Sequence, residues 1–272
     1  MAPHKYSQRV QLAADFVTNA LNIGPGWWLS GHLLADAADN TAGKQHGNAY
    51  RATFLYWVEH TSKYFKASEC KNHFLDFVTA RPPENEASFF VWTVDAHNAV
   101  NKRNNKPIYT VKQARNALTQ KKDMKIFGYG GWALIHQTGL QALNDPAYTV
   151  RAKNIHIFMS NCKAFGKYYN LPKDGRINNL FAWSVAKHKE SGGMDLTIDE
   201  AVYIWGPDNV RDEPCSGPTP SKKIVSHDSD DEEVIDIISS SESDDSDSDE
   251  DSADGRSFGI LSILDVGRYI RK

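Results

Sequence analysis

The sequence predicts an all-α protein: two tandem bundles of four or five helices, followed by a disordered acidic tail. Three observations point there. Apolar residues recur at helical spacing, and no hairpin turn is flanked by alternating β-branched runs. A set of short motifs occurs twice in the same order along the chain. Charge is also divided: residues 1–227 carry 27 basic and 19 acidic side chains, whereas Asp228 to Asp254 carry 14 acidic and no basic ones.

In the first half, Gly24-Pro25-Gly26 reads as a break that opens an apolar helical run from Trp27 to Ala38. An Asn- and Gly-rich loop, Asn40 to Asn48, follows. Phe54, Val58, Thr61 and Phe65 then fall on one face of an amphipathic helix. A third segment contains Cys70, Phe74 and Phe77 and stops at Arg81-Pro82-Pro83. Ser88 is placed to cap a fourth helix that carries Phe89, Trp92, Ala96 and Val100 on one side. Helices of about 10–18 residues with short connections make a bundle.

The second half repeats the first. Trp28-x-x-x-His32 recurs as Trp132-x-x-x-His136, and Ser68-Glu69-Cys70-Lys71 as Ser160-Asn161-Cys162-Lys163. Phe90-Val91-Trp92 with His97 recurs as Phe181-Ala182-Trp183 with His188. Tyr109-Thr110-Val111 with Ala114 recurs as Leu196-Thr197-Ile198 with Ala201. The offsets shrink from 104 through 92 and 91 to 87, as when loops differ in length and helices do not. The expected division is a first bundle over 1–120, a degenerate second copy over 121–210, an acidic Ser-rich tail over 211–257 and a short apolar, basic segment over 258–272.

Composition excludes several classes. No apolar run approaches the roughly 18 residues needed to cross a bilayer. The start, MAPHKYSQRVQL, lacks a secretory pattern, so the expectation is cytoplasmic or nuclear residence rather than secretion. Cys70, Cys162 and Cys215 are too few and scattered for a disulfide scaffold or a cysteine-based zinc site, and no metal centre is expected.

The first copy resembles the Erv/ALR family of FAD-dependent sulfhydryl oxidases over about residues 22–118. HNAVNKRNNKPIY (His97 to Tyr109) is similar to the family's flavin-binding stretch HNxVNxxxGKPxY. FFVW (Phe89 to Trp92) matches the run before it, and GPGWWLSGH (Gly24 to His32) resembles the family's first helix. The resemblance implies that Trp28, His32, His97, Asn98, Asn101, Lys106 and Tyr109 contact FAD. The residue types agree: an aromatic surface for the rings, amides for polar edges and a cation for the diphosphate. Such cytosolic oxidases are common in large DNA viruses, so the resemblance also points to a viral protein.

SKYFKASECKNHF (Ser62 to Phe74) resembles the segment that normally holds the redox Cys-x-x-Cys, and here the chain departs from the pattern. Ala67 stands where the first cysteine belongs and Lys66 where a proline is usual. Cys70 keeps the second position, which the family sets against the flavin, and is the expected catalytic residue. Met159 and Cys162 stand at the corresponding positions of the second copy. Dithiol oxidation needs two thiols. With no local partner for Cys70, and Cys215 alone in a Pro- and Gly-rich loop, the expectation is impaired or altered disulfide-forming activity.

The second copy reads HKESGGMD (His188 to Asp195), without either Asn of HNAVN, and is expected to bind no flavin and to pack on the first as an intrachain pseudo-dimer; a homodimer is the other arrangement. In the tail, Val234, Ile235, Asp236 and Ile237 resemble a SUMO-interacting motif, aliphatics for a sheet edge with acidic flanks. The alternative function is therefore a non-enzymatic scaffold that recruits SUMO or SUMOylated partners. Protein thiols or a protein partner are the expected ligands; neither nucleic-acid binding through the basic body nor membrane association is expected.

Overall fold

The structure is a computed structural model that describes residues 6–44, 47–119, 124–161, 179–190 and 193–207. The acidic tail with its SUMO-type motif, the segment 258–272, Cys162 and Cys215 lie outside the described residues. The described elements are ten α-helices and two short 3-10 turns. They are α1 (Gln8–Thr18), α2 (Ala20–Asn40), α3 (Gly47–Tyr64), α4 (Ser68–Ala80), α5 (Phe89–Arg103) and α6 (Val111–Thr119). There follow α7 (Met124–Asn144), α8 (Thr149–Asn161), α9 (Leu180–Glu190) and α10 (Ile198–Trp205). No described helix is long and apolar enough to cross a membrane.

The expected break at Gly24-Pro25-Gly26 is not a break: α2 begins at Ala20 and runs through Pro25. Proline removes one rung of the helical ladder, but the burial of Ile23, Trp27, Leu34 and Ala35 on this helix outweighs that loss. The small residues serve packing instead. A Cβ on Gly130 of α7 would lie 2.1 Å from the Ile23 carbonyl, 2.5 Å from the Trp27 nitrogen and 2.7 Å from the Gly26 Cα. Backbone therefore meets backbone where α2 and α7 cross.

Around this crossing one hydrophobic core runs continuously from Val10 to Trp205 and takes residues from both halves. A buried polar knot joins α3 to α7: Tyr56 donates to Gln141 Oε1 at 2.7 Å, His60 Nδ1 lies 3.1 Å from the same oxygen, and Gln141 donates to the Tyr64 hydroxyl at 3.0 Å. α1 lies on α10, with Tyr6 stacked on Tyr203 at 4.2 Å and Tyr203 donating to Gln11 at 2.7 Å. The two sequence halves thus share an interior.

Two caps orient the helices that carry the site. Ser88 caps α5 through Val91 N–H, as its sequence position suggests. Asp39, at the end of α2, accepts from Phe89 and Phe90 N–H at 2.9 Å each and from Ser88 Oγ at 2.6 Å. A carboxylate on a helix N-terminus is favourable, and this one pins the start of α5 to the end of α2. α4 runs back along α3, with Phe74 edge-on to Trp57 at 5.9 Å and to Trp92 at 6.0 Å.

Gly→Ala within a helix ordinarily stabilises by about 1 kcal/mol. At Gly24, whose Cβ would meet nothing within 4 Å, Gly24→Ala should follow that rule. Gly130→Ala should reverse it and destabilise by about 1–3 kcal/mol, because α2 and α7 must separate. Urea unfolding of the two variants distinguishes the signs; a stabilised Gly130→Ala protein would refute the close crossing.

Candidate functional site

α2, α3, α4, α5, α6 and the loop between α5 and α6 line a cleft of about 890 Å³. It brings together all seven residues assigned to the cofactor, Trp28, His32, His97, Asn98, Asn101, Lys106 and Tyr109, and Cys70 with them. The spacing explains the convergence. Trp28 and His32 are four residues apart on α2, and His97 and Asn101 four apart on α5, so each pair shares a helix face.

Trp28 stacks on His97 with ring centres 4.3 Å apart and planes within 2°. Behind the pair runs a chain of hydrogen bonds whose direction can be assigned. Thr93 Oγ1 donates its single proton to the Phe90 carbonyl at 2.8 Å. It can therefore only accept from His32 Nδ1, 3.0 Å away, which places the imidazole proton there. His32 Nε2 is then an acceptor for His97 Nδ1–H at 3.0 Å, and His97 Nε2 is left with a lone pair. Burial, and secondarily the His97 charge, pushes His32 down to about 3. Burial, with Lys106 adding to it, pushes His97 down to about 4. Both imidazoles are neutral at neutral pH, as the chain requires.

Asn98 and Asn101 shape the rim by gripping the loop. Asn98 donates to the Tyr109 carbonyl at 2.8 Å and accepts from Tyr109 N–H at 2.9 Å. Asn101 donates to the Pro107 carbonyl at 3.1 Å, and its own carbonyl accepts from Lys106 N–H at 2.8 Å. Between them Asn105 has a φ of 52°, the left-handed region that asparagine tolerates better than most residues. It occupies the place of the glycine in HNxVNxxxGKPxY, so the loop's conformation accounts for that glycine.

Cys70 is disulfide-bonded. This corrects the expectation that it has no partner: a search along the local sequence looks only for Cys-x-x-Cys, and the second sulfur comes from far away in the chain. The other cysteines are Cys162 and Cys215, both outside the described residues. Cys70 sits half-buried in the first turn of α4, whose N-cap is Ala67. Lys66, where the family's proline is usual, is buried, and its ammonium donates to the Gly206 carbonyl just after α10.

The second half carries a matching constellation. His136 Nδ1 lies 2.9 Å from Ser184 Oγ, whose proton goes to the Phe181 carbonyl at 2.8 Å, and His136 Nε2 lies 3.2 Å from His188 Nδ1. Trp132 stacks on His188 at 5.0 Å. Here, however, Trp205 of α10 packs on His136 with ring centres 5.0 Å apart. A Cβ on Gly193 would meet the His188 ring within 2.3 Å. Thr93, Ser184, Asp39 and Trp205 escaped sequence reasoning. Only the shared offset of Thr93 and Ser184, 91 like that of the histidines after them, could have flagged two of them.

Residues 25–121 match the model of the Erv1 / Alr family. Over 102 residues the chain is 30% identical to the protein named FAD-linked sulfhydryl oxidase of African swine fever virus, Tick/Malawi isolate, covering 37% of this chain and 82% of that relative. The chain belongs to the Erv1/Alr family. The protein of the same name from a Warthog/Namibia isolate is 29% identical over 112 residues, covering 40% of this chain and 90% of its own length. No solved structure gives a significant match. The family match ends at residue 121, so the second half is outside it.

The buried and half-buried histidines of this Erv1/Alr protein should make its stability pH-dependent. Burial lowers His32, His60, His97, His136, His156 and His188 from the ordinary value of 6.5. The folded state holds them neutral while the unfolded chain takes up protons below 6.5, so their contribution is complete above 6.5. It is lost as pH falls toward the folded values near 4. At pH of about 5.5 each should remove about 1 kcal/mol. A urea midpoint unchanged between pH of about 7.5 and 5.5 would contradict this assignment.

Proposed function

We propose that this chain is an FAD-linked sulfhydryl oxidase in which the first half holds the cofactor and the second half is a degenerate copy of it, fused as a cofactor-free partner. The carrying observation is that the Cys70 disulfide and the stacked Trp28–His97 pair line one cleft. The residues suit the group. Trp28 and His97 offer a parallel-stacked aromatic pair, the Asn-gripped loop gives rigid polar rims, and Lys106 supplies a cation for a diphosphate. When bound, FAD supplies a two-electron acceptor for a dithiol and passes the electrons to dioxygen.

The chain's own part is binding and orientation. The Thr93–His32–His97 chain fixes the His97 ring against Trp28 and burial keeps both imidazoles uncharged, so that an acceptor nitrogen rather than a cation belongs to the wall. Phe65, Phe74 and Leu118 add apolar lining beside Cys70, which restricts water at the sulfur. The first turn of α4 favours negative charge on Cys70 through its N-terminal dipole. Protein dithiols are the substrate class this arrangement serves. In the second half Trp205 takes the space beside His136, which supports a structural role for that copy.

The purified full-length protein should show flavin absorption that survives gel filtration and should consume oxygen with a dithiol. Trp28→Ala and His97→Ala should weaken flavin affinity at least about tenfold, the loss of about 1.4 kcal/mol of binding. Trp132→Ala should leave it unchanged. A colourless protein that does not take up added FAD would overturn the reading.

A further inference from the structure

We infer that Thr93 is a specificity-determining residue that acts at a distance: it fixes the protons of two rings and so decides which part of the nucleotide His97 can hold. The group that meets His97 Nε2 is an N–H or O–H donor, never a phosphate or carbonyl oxygen. That the ligand is FAD rests on the function proposed above; the proton order does not.

The order begins at two oxygens in contact. Thr93 Oγ1 lies 2.8 Å from the Phe90 carbonyl, a separation that two oxygens hold with a proton between them, and the hydroxyl owns the one available. His32 Nδ1, 3.0 Å from the same hydroxyl, therefore carries its ring's proton, and the bare His32 Nε2 accepts from His97 Nδ1–H at 3.0 Å. A neutral His97 then has only a lone pair on Nε2. Burial and the Lys106 charge oppose a further proton there. Thr93 is itself fully buried and lines no part of the cleft, so it acts as a positioning residue through His32.

The open end of this chain is where a ligand group belongs. His97 lines the cleft, and its Nε2 has no hydrogen-bond partner among the described residues. The second half repeats the order but closes its end. Ser184 gives its proton to the Phe181 carbonyl at 2.8 Å and lies 2.9 Å from His136 Nδ1, and His136 Nε2 lies 3.2 Å from His188 Nδ1. The chain itself covers the far nitrogen of His188: a Cβ on Gly193 would lie 2.3 Å from Nε2. The copy read as cofactor-free thus covers the atom that the other copy leaves open.

Lys106 gives the cleft a second, opposite preference. It lines the same cleft, close enough for its charge to act on His97, and its ammonium offers donors only. Acceptor oxygens such as those of a diphosphate suit Lys106, and an imide N–H, an amine or a hydroxyl suits His97. A nucleotide turned end for end would set oxygen lone pairs against the His97 lone pair, so the two residues together select one direction of binding.

Two-bond nitrogen–proton correlation spectra of the histidines in the full-length protein read the order directly. We expect His97, identified by the signals lost in His97→Ala, to carry its proton on Nδ1 with Nε2 bare; a proton on Nε2 at neutral pH would overturn the inference. Thr93→Val removes the acceptor of His32 Nδ1–H. A buried donor without a partner is costly, so both rings should exchange their protons and present Nε2–H to the cleft. FAD affinity should then fall about ten- to hundredfold, whereas Thr93→Ser, which copies Ser184, should keep it within about threefold. Rings that keep their order in Thr93→Val, inverted rings with unchanged affinity, or an equal loss in Thr93→Ser would each refute the role of Thr93. Should Thr93→Val not fold, the unaltered protein's spectrum and the Thr93→Ser affinity still decide. Protein that shows the expected proton order yet takes up no FAD would cost the flavin reading and support the order.

Discussion

At Gly130 the backbone of α7 reaches the backbone of α2, with no room for even a methyl group between them. Much else follows from that contact. It brings Trp28 and Trp132, each two residues beyond a glycine of the crossing, onto helices that share one core. It sets α3 against α7 closely enough for Gln141 to meet Tyr56, His60 and Tyr64. It also makes the second half a wall of the first, so the cleft-bearing helices are braced by residues that the family match does not include.

Within that frame the cleft is organised by hydrogen bonds of fixed direction. The Thr93 proton committed to Phe90 decides the tautomer of His32, and His32 decides that of His97. Burial keeps both rings neutral, which costs stability in acid but lets a tightly spaced pair exist without repulsion. The same sequence of groups recurs in Ser184, His136 and His188 of the second half. What differs is the space beside it: Trp205 packs on His136 in the second half, whereas the cleft stands beside His32 in the first.

Cys70 is where local sequence is least informative. A thiol without a neighbour three residues away reads as a chemically lost site. The fold supplies its partner from a distance, because disulfide formation depends on spatial and not sequential separation. Lys66 belongs to the same point. A buried lysine in place of proline looks like drift until its bond to the Gly206 carbonyl ties α4 to the chain beyond α10.

The sequence by itself determined the helical class, the Ser88 cap, the end of α4 before Arg81 and which residues share a helix face, because these depend on spacing within one helix or on a single cap. Helical periodicity places Trp28 with His32 and His97 with Asn101 whatever surrounds them. Only the tertiary structure decided that Gly24-Pro25-Gly26 lies inside a helix, since the gain comes from α7 crossing there. It alone decided that Asp39 caps α5, that Asn98 and Asn101 hold the loop backbone and that Trp205 packs against the second histidine pair. Each joins groups far apart in the chain, and no local pattern encodes which distant atom will satisfy a buried donor, a short side chain or a sulfur.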